Sequence, residues 1–172
     1  IVHSLVQGAP AWDEFRLAHF GGSEIAAVMG LSKTTTRTEL LRAKKTGIAK
    51  EFGEWLQRNV LDRGHEIEAL ARPLAVEFAG VDGFYPATVS LGRISASTDG
   101  VDMLDETAWE CKSLNSQNGP IVRAGQVPEE HLPQCQLVLM ATGSDRLLFT
   151  VSDGTRENTF HVWVEPDTNW FD

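Results

Sequence analysis

The amino-acid sequence predicts a single α/β domain in which helices come first and strands follow. In the first 80 positions, apolar residues recur at three- to four-residue spacing, as they do in amphipathic helices. After Gly80 they alternate with polar residues in short runs, as they do in strands. With 172 residues, 42% of them apolar, the chain can bury one core and need not divide. We therefore expect one domain over residues 1–172.

Four helices are predicted in the helical part. The first begins at Pro10, the second follows Ser23 as its N-cap and ends at Gly30, and the third covers residues 38–46. The fourth is long, and its apolar stripe contains Leu56, Val60, Ile67, Leu74 and Phe78. Glu68 lies one position off that stripe, so it is either a surface acid or a contributor to an acidic site.

Strands are predicted in the remaining part. An antiparallel meander covers residues 84–91, 93–98 and 107–112, and a hairpin covers residues 146–152 and 159–165. Between them we expect a loop over residues 115–127, and then a helix from Pro128 to Gly143.

Asp99, Glu110 and Lys112 form the combination best suited to chemistry. Alternation along a strand places Glu110 and Lys112 on one face and Trp109 on the other. Asp99 precedes a glycine in a hairpin that returns to Glu110, so pairing of the two strands brings these carboxylates close together. An exposed ion pair between Glu110 and Lys112, worth less than about 1 kcal/mol, is the alternative interpretation.

Two adjacent carboxylates repel each other unless a cation or a proton lies between them. A site of a few carboxylate oxygens, completed by water and phosphate, suits Mg²⁺ or Mn²⁺ better than zinc. Lys112 would then orient or deprotonate the attacking water, or stabilise charge on the phosphate oxygens.

The formal net charge of −9 argues against a protein that coats nucleic acid non-specifically, because phosphate contacts need lysine and arginine. The basic residues nevertheless cluster between Lys33 and Lys50, where Glu39 is the one acid. The cluster is either a solvated helix face or a local DNA contact.

The cysteines, Cys111 and Cys135, show no zinc-ligand spacing, and we expect both to be free thiols. No apolar run reaches the length of about 18 residues that a membrane span needs, and the first residues lack the pattern of a signal peptide. We therefore expect a soluble, cytoplasmic protein with no membrane partner.

Five motifs occur in a characteristic order. They are Arg16 followed by Gly21-Gly22-Ser23-Glu24-Ile25, then Gly64-His65-Glu66-Ile67-Glu68-Ala69, Ser97-Thr98-Asp99-Gly100, Glu110-Cys111-Lys112, and His131-Leu132-Pro133-Gln134-Cys135-Gln136. This set resembles the lambda-exonuclease-like (YqaJ viral recombinase) branch of the PD-(D/E)xK nuclease superfamily. Two positions depart from the family pattern, since Thr98 replaces a proline and His131 replaces a tyrosine.

The resemblance implies a restriction-endonuclease-like α/β core, with a central mixed sheet flanked by helices. It implies metal binding of Mg²⁺, or Mn²⁺ in its place, by Asp99, Glu110 and the backbone carbonyl of Cys111. It also implies catalytic roles for Lys112, Glu68 and Gln134.

For DNA, the resemblance implies that Arg16 and Ser23 hold a 5′-phosphate, and Ser97 joins the DNA-binding set through its motif. Leu61 occupies the position of a residue that wedges into the DNA end, although a core or surface leucine fits equally well. Basic residues of the Lys33–Lys50 cluster are candidates to line a DNA channel, chiefly Arg42, Lys44 and Lys45.

The implied activity is a metal-dependent 5′-to-3′ exonuclease on linear double-stranded DNA. It would leave 3′ single-stranded tails for a single-strand annealing protein during phage recombination, and it would act as a homotrimeric ring in a bacterial host. A structure-specific or restriction-type endonuclease on the same fold is one alternative. A DNA-end-binding module without catalysis is another.

Overall fold

The computed structural model describes residues 1–6, 8–47 and 63–170. The helices are α1 (Pro10–Ala18), α2 (Ile25–Val28), α3 (Arg37–Thr46), α4 (Arg63–Ala79), α5 (Asn118–Arg123) and α6 (Leu132–Thr142). The strands are β1 (Val2–His3), β2 (Phe20–Gly21), β3 (Tyr85–Leu91), β4 (Ile94–Val101), β5 (Thr107–Ser113), β6 (Arg146–Ser152) and β7 (Phe160–Val164). Short 3₁₀ turns cover Gly22–Glu24 and Thr168–Trp170.

The strands form one mixed sheet in the order β1-β3-β4-β5-β6-β7, with β2 paired to β4 beside this path. Strands β3, β4 and β5 make the predicted antiparallel meander, and β6 and β7 make the predicted hairpin. Strands β5 and β6 are parallel, and the crossover between them carries α5 and α6. A central mixed sheet flanked by helices is therefore confirmed.

Helices cover both faces of the sheet. On one face, Ala71 and Ala75 of α4 pack against Trp109 of β5 and Leu148 of β6. On the other face, α5 and α6 pack against a larger cluster that includes Ala108 and its neighbours in β6. Adjacent residues of β5 thus point to opposite faces, as strand alternation predicts.

The predicted stripe of α4 is only partly right. Ile67 is buried, but Leu74 is half-buried, and the fully buried positions that follow are Ala71 and Ala75. Alanines face the sheet because their small side chains let the helix lie close to Trp109. The predicted positions 56 and 60 lie outside the described residues.

Three local predictions were wrong. Ser23 is not an N-cap, since it lies exposed inside the Gly22–Glu24 turn. The predicted loop 115–127 contains α5, whose first turn is stabilised by hydrogen bonds from the backbone N–H of Asn115 to Asn118 Oδ1 and from the backbone N–H of Asn118 to Asn115 Oδ1. Helix α6 begins at Leu132 because residues 128–131 form a turn first. Across the described ranges, no helix combines the length and apolar character needed to cross a bilayer.

Candidate active site

The site lies where β4 and β5 separate. Their pairing runs through Val101 with Ala108 and Gly100 with Trp109. One step further, the backbone N–H of Cys111 donates to the carboxylate of Asp99 at 2.7 Å. A side-chain oxygen has taken the place of a strand partner, so the acid of β4 lies against the backbone of β5.

Glu110 is the most deeply buried acid of this site, with 2% of its surface exposed. Its Oε1 accepts hydrogen bonds from Lys112 Nζ and from Gln134 Nε2, each at 2.6 Å. Its Oε2 is buried and accepts no hydrogen bond from the described part of the chain. The pair with Lys112 is therefore not an exposed surface ion pair, and one buried carboxylate oxygen still needs a partner.

The two acids are electrostatically unfavourable as they stand. Burial and the neighbouring carboxylate of Asp99 together raise the pKa of Glu110 to about 7, with Lys112 opposing the rise. Burial raises the pKa of Asp99 to about 6, with Lys112 opposing the rise and Glu68 adding to it. A cation between these acids would remove the repulsion.

Lys112 remains an ammonium ion. Burial works to lower the pKa of Lys112, but the carboxylates of Glu110 and Asp99 raise it well above its usual range. The group can therefore donate hydrogen bonds and stabilise negative charge, and it is poorly suited to accept a proton from water.

Glu68 reaches the site from α4. Its Oε1 accepts a hydrogen bond from Arg72 Nη2 at 2.6 Å, one helical turn away. Burial raises the pKa of Glu68, and Arg72 opposes that rise. Sequence reasoning missed Arg72, although an arginine four residues after a candidate acid is a recognisable i,i+4 pair.

The amino-terminal motif packs beside the same site. A Cβ built on Gly22 would lie 3.5 Å from Gln134 Cγ, so the turn that carries Ser23 adjoins α6. Trp12 Nε1 of α1 donates to Ser97 Oγ at 3.0 Å, two residues before Asp99. Ser97 therefore attaches α1 to β4.

Glu24 organises this motif, and sequence reasoning gave it no role. Its carboxylate accepts from the backbone N–H of Gly21 at 2.8 Å, and pairs with Arg16 at 3.1 Å and Lys44 at 2.7 Å. Arg16 also lies over the ring of Trp12, 4.8 Å from its centroid. The guanidinium of Arg16 is thus held in place from two sides.

The basic candidates differ in exposure. Lys44 is mostly buried and donates to the backbone carbonyls of Arg16 and His19 at 2.6 and 2.8 Å. Arg42 and Lys45 are exposed on α3. Leu61 and Lys50 lie outside the described residues. An internal ammonium such as that of Lys44 is less suited to contact DNA than the exposed pair.

The donor set fits a hard cation. Within residues 1–6, 8–47 and 63–170, no group of three or more His, Cys, Asp or Glu side chains is arranged as a metal site. The carboxylates of Asp99 and Glu110, the latter with one unpartnered oxygen, are nevertheless the type of ligand that Mg²⁺ binds together with waters. The thiol of Cys111 is not a ligand candidate, because burial raises its pKa to about 12.

A family profile for the YqaJ-like viral recombinase domain matches residues 11–145. The chain belongs to this family. The resemblance drawn from the five motifs is thereby confirmed, and the matched segment of the YqaJ-like domain contains Asp99, Glu110 and Lys112. No curated protein matches the chain.

Solved structures agree with this YqaJ-like assignment at the level of the fold. The alkaline exonuclease LHK-Exo from Laribacter hongkongensis matches with a TM-score of 0.76 and 22% identity, over 95% of this chain and 85% of that one. Its complex with dAMP matches with a TM-score of 0.75 and 22% identity over the same shares. A phage-related exonuclease from Haemophilus somnus 129PT matches with a TM-score of 0.64 and 12% identity, over 94% of this chain and 90% of that one.

Proposed function

We propose that this protein is a metal-dependent DNA exonuclease whose active site contains Asp99, Glu110 and Lys112. The observation that carries the proposal is the buried Oε2 of Glu110, which lacks a hydrogen-bond partner beside a second carboxylate and a charged lysine. Buried polar atoms without partners are rare in proteins, and those at a charged cluster suggest a missing ion. The solved exonuclease structures that share the fold support the same activity.

Asp99, Glu110 and the carbonyl of Cys111 are the groups that would hold Mg²⁺ or Mn²⁺. Such an ion, when bound, acidifies water and stabilises negative charge on a phosphate. Lys112, which stays protonated, donates to a phosphate oxygen or to the attacking water and leaves proton removal to another group. Gln134 holds the Glu110 carboxylate in position, and Glu68 supports the ion or its water from α4.

Binding of the DNA end is assigned to the amino-terminal motif. Arg16 and Ser23 would bind a terminal 5′-phosphate through charge-assisted hydrogen bonds, which are stronger than neutral ones. The finer features follow from the resemblance to the family: digestion from the 5′ end of linear duplex DNA, 3′ tails passed to an annealing protein, a trimeric ring, and action in the cytoplasm of a phage host. One nuclease domain carries these functions.

The test follows digestion of linear duplex DNA that carries a 5′-phosphate on one strand and a 5′-hydroxyl on the other. With Mg²⁺ the wild type should degrade the phosphorylated strand, and with EDTA it should degrade neither. Lys112→Ala and Asp99→Asn should each lose at least about a hundredfold in rate. Arg16→Ala should lose the preference for the phosphate. Asp82→Asn replaces an exposed acid outside the site and should retain the wild-type rate.

Covalently closed circular DNA separates the alternatives. An exonuclease leaves it intact, whereas a structure-specific or restriction-type endonuclease cuts it. A folded wild type that shifts the mobility of linear DNA and releases no nucleotide with Mg²⁺ or Mn²⁺ would be an end-binding module, and would refute the catalytic proposal.

A further inference from the structure

Arg72 connects three separate segments of the fold. Its Nη2 donates to Glu68 Oε1 at 2.6 Å. Its Nη1 donates to the backbone carbonyl of Phe84 at 2.8 Å and to that of Asp99 at 2.7 Å. The guanidinium carbon lies 4.9 Å from the ring centroid of Trp109. One side chain thus joins helix α4, the start of the meander and the site strand β4.

The contact with Asp99 lies at a sensitive place in the backbone. Strands β4 and β5 no longer pair at Asp99, since their last paired residues are Gly100 and Trp109. The backbone carbonyl of Asp99 is held by Arg72, while its carboxylate is held by the N–H of Cys111. These two hydrogen bonds, one on the backbone and one on the side chain, determine the direction of the carboxylate.

The contact between Arg72 and Glu68 holds the carboxylate of the second acid in position. Glu68 extends from a helix on a side chain with several rotatable bonds, so the position of its carboxylate depends on the rotamer that it adopts. A charge-assisted bond at 2.6 Å to a partly buried guanidinium, 24% exposed, holds that rotamer. The planar guanidinium presents several donors in fixed directions, which a lysine ammonium does not reproduce.

We propose that Arg72 is a positioning residue of the active site, which aligns the carboxylates of Glu68 and Asp99 so that both can serve one bound cation. The inference rests on the proposed metal-dependent function, and it adds a residue that touches neither the ion nor the DNA. Groups that orient metal ligands commonly change metal affinity ten- to a hundredfold when they are removed.

A purely structural role for Arg72 makes a different prediction. In that case the substitution lowers the stability of the fold, and the molecules that remain folded bind metal normally. Arg146 supplies the matched control, because its guanidinium also stacks on a tryptophan, 4.2 Å from the ring centroid of Trp163, away from the three acids. Arg146→Gln removes an arginine–tryptophan contact without touching Glu68 or Asp99.

The experiment measures Mn²⁺ binding to the protein without DNA, by calorimetry and by the electron paramagnetic resonance of free Mn²⁺. Arg72→Gln should raise the Kd for Mn²⁺ about tenfold or more, and Arg72→Lys should raise it by a smaller factor. The Mn²⁺ concentration that gives half-maximal cleavage should rise in proportion. DNA affinity in EDTA should stay at the wild-type value, because Arg72 does not contact the substrate.

Wild-type Mn²⁺ affinity in folded Arg72→Gln would overturn the inference. If that variant does not fold, Arg72→Lys decides, and an unchanged Kd in it overturns the inference equally. A raised Kd in Arg146→Gln would also overturn it, because loss of stability would then suffice. If the wild type binds no Mn²⁺ and cleaves no DNA, the proposed function itself fails.

Discussion

The carboxylate of Asp99 accepts a hydrogen bond from the backbone N–H of Cys111 at 2.7 Å. The acid therefore satisfies a strand N–H at the position where β4 and β5 have separated. The same separation opens the space in which Glu110 keeps an unpartnered oxygen. Asp99 thus has a structural role, as acceptor for the Cys111 N–H, and a proposed catalytic role as a metal ligand. The two roles can be tested separately.

Asp99→Asn should stabilise the metal-free protein at alkaline pH. Because burial raises the pKa of Asp99 to about 6, the stabilising contribution of its protonated form is complete below about pH 4 and is lost as the pH rises through about 6. Asparagine does not ionise and keeps that contribution. Urea unfolding in EDTA should show a gain of about 1 to 3 kcal/mol at pH 8 and a much smaller gain at pH 4.

With saturating Mg²⁺ at pH 8, the wild type should instead be more stable than Asp99→Asn, because the ion stabilises only the protein that binds it. Groups that do not interact with Asp99 cancel in the comparison, whereas Glu110, whose pKa the Asp99 carboxylate raises, adds to the gain at pH 8. A difference between Asp99→Asn and wild type that is the same at both pH values would contradict a raised pKa of Asp99 in the folded protein.

Gly100→Ala should destabilise the fold. A Cβ at this position would lie 2.5 Å from Phe84 Cβ, and Phe84 is buried at 3% exposure between α4 and the sheet. We expect a loss of about 2 to 3 kcal/mol, measured by thermal or urea unfolding. Gly64→Ala is the control, since no described atom other than those of its own chain neighbours and helix backbone lies within 4 Å of the added Cβ. In a helix that change should gain up to about 1 kcal/mol, and equal effects of the two changes would disprove the steric argument.

Substitution of Lys44 should lower the stability of the fold, whereas substitution of the adjacent Lys45 should leave it nearly unchanged. Lys44→Met removes a mostly buried ammonium that pairs with Glu24 and donates to two backbone carbonyls. Glu24 keeps its contacts with Arg16 and Gly21, and the loss should cost about 2 to 4 kcal/mol of unfolding free energy. Lys45→Met changes an exposed residue and should stay within about 0.5 kcal/mol. If Lys45 contacts phosphate, its loss should also weaken DNA binding and reduce the salt dependence of binding. Unchanged DNA binding would remove Lys45 from the channel.

Both cysteines should be inert in the native protein. They are free thiols, and Cys135 is completely buried. Burial raises the pKa of Cys111 to about 12 and that of Cys135 well above its ordinary value. Since the thiolate is the reactive form, a chromogenic disulfide reagent at pH 8 should detect both thiols in urea and neither in the native state. A fast native reaction would contradict the burial of Cys135 or the raised pKa of the half-buried Cys111.

The sequence by itself determined the local features of the site. Strand alternation placed Glu110 and Lys112 on one face, and a hairpin was expected between Asp99 and Glu110; both depend on neighbours within about a dozen positions. The hairpin is present, but the Asp-Gly pair predicted as its turn lies inside β4, and the turn is formed by residues 102–106. The order of the five motifs identified the family, and with it the mixed sheet.

Only the tertiary structure decided how distant segments meet. It showed that β5 and β6 are parallel, that Glu24 joins Arg16 to Lys44, and that Arg72 holds the backbone of Asp99. No periodicity encodes these contacts, because each depends on how closely one packed element approaches another. Helix α4 lies close enough for Arg72 to reach β4 because small side chains at Ala71 and Ala75 face the sheet, and that distance is a property of the packed core rather than of any local pattern.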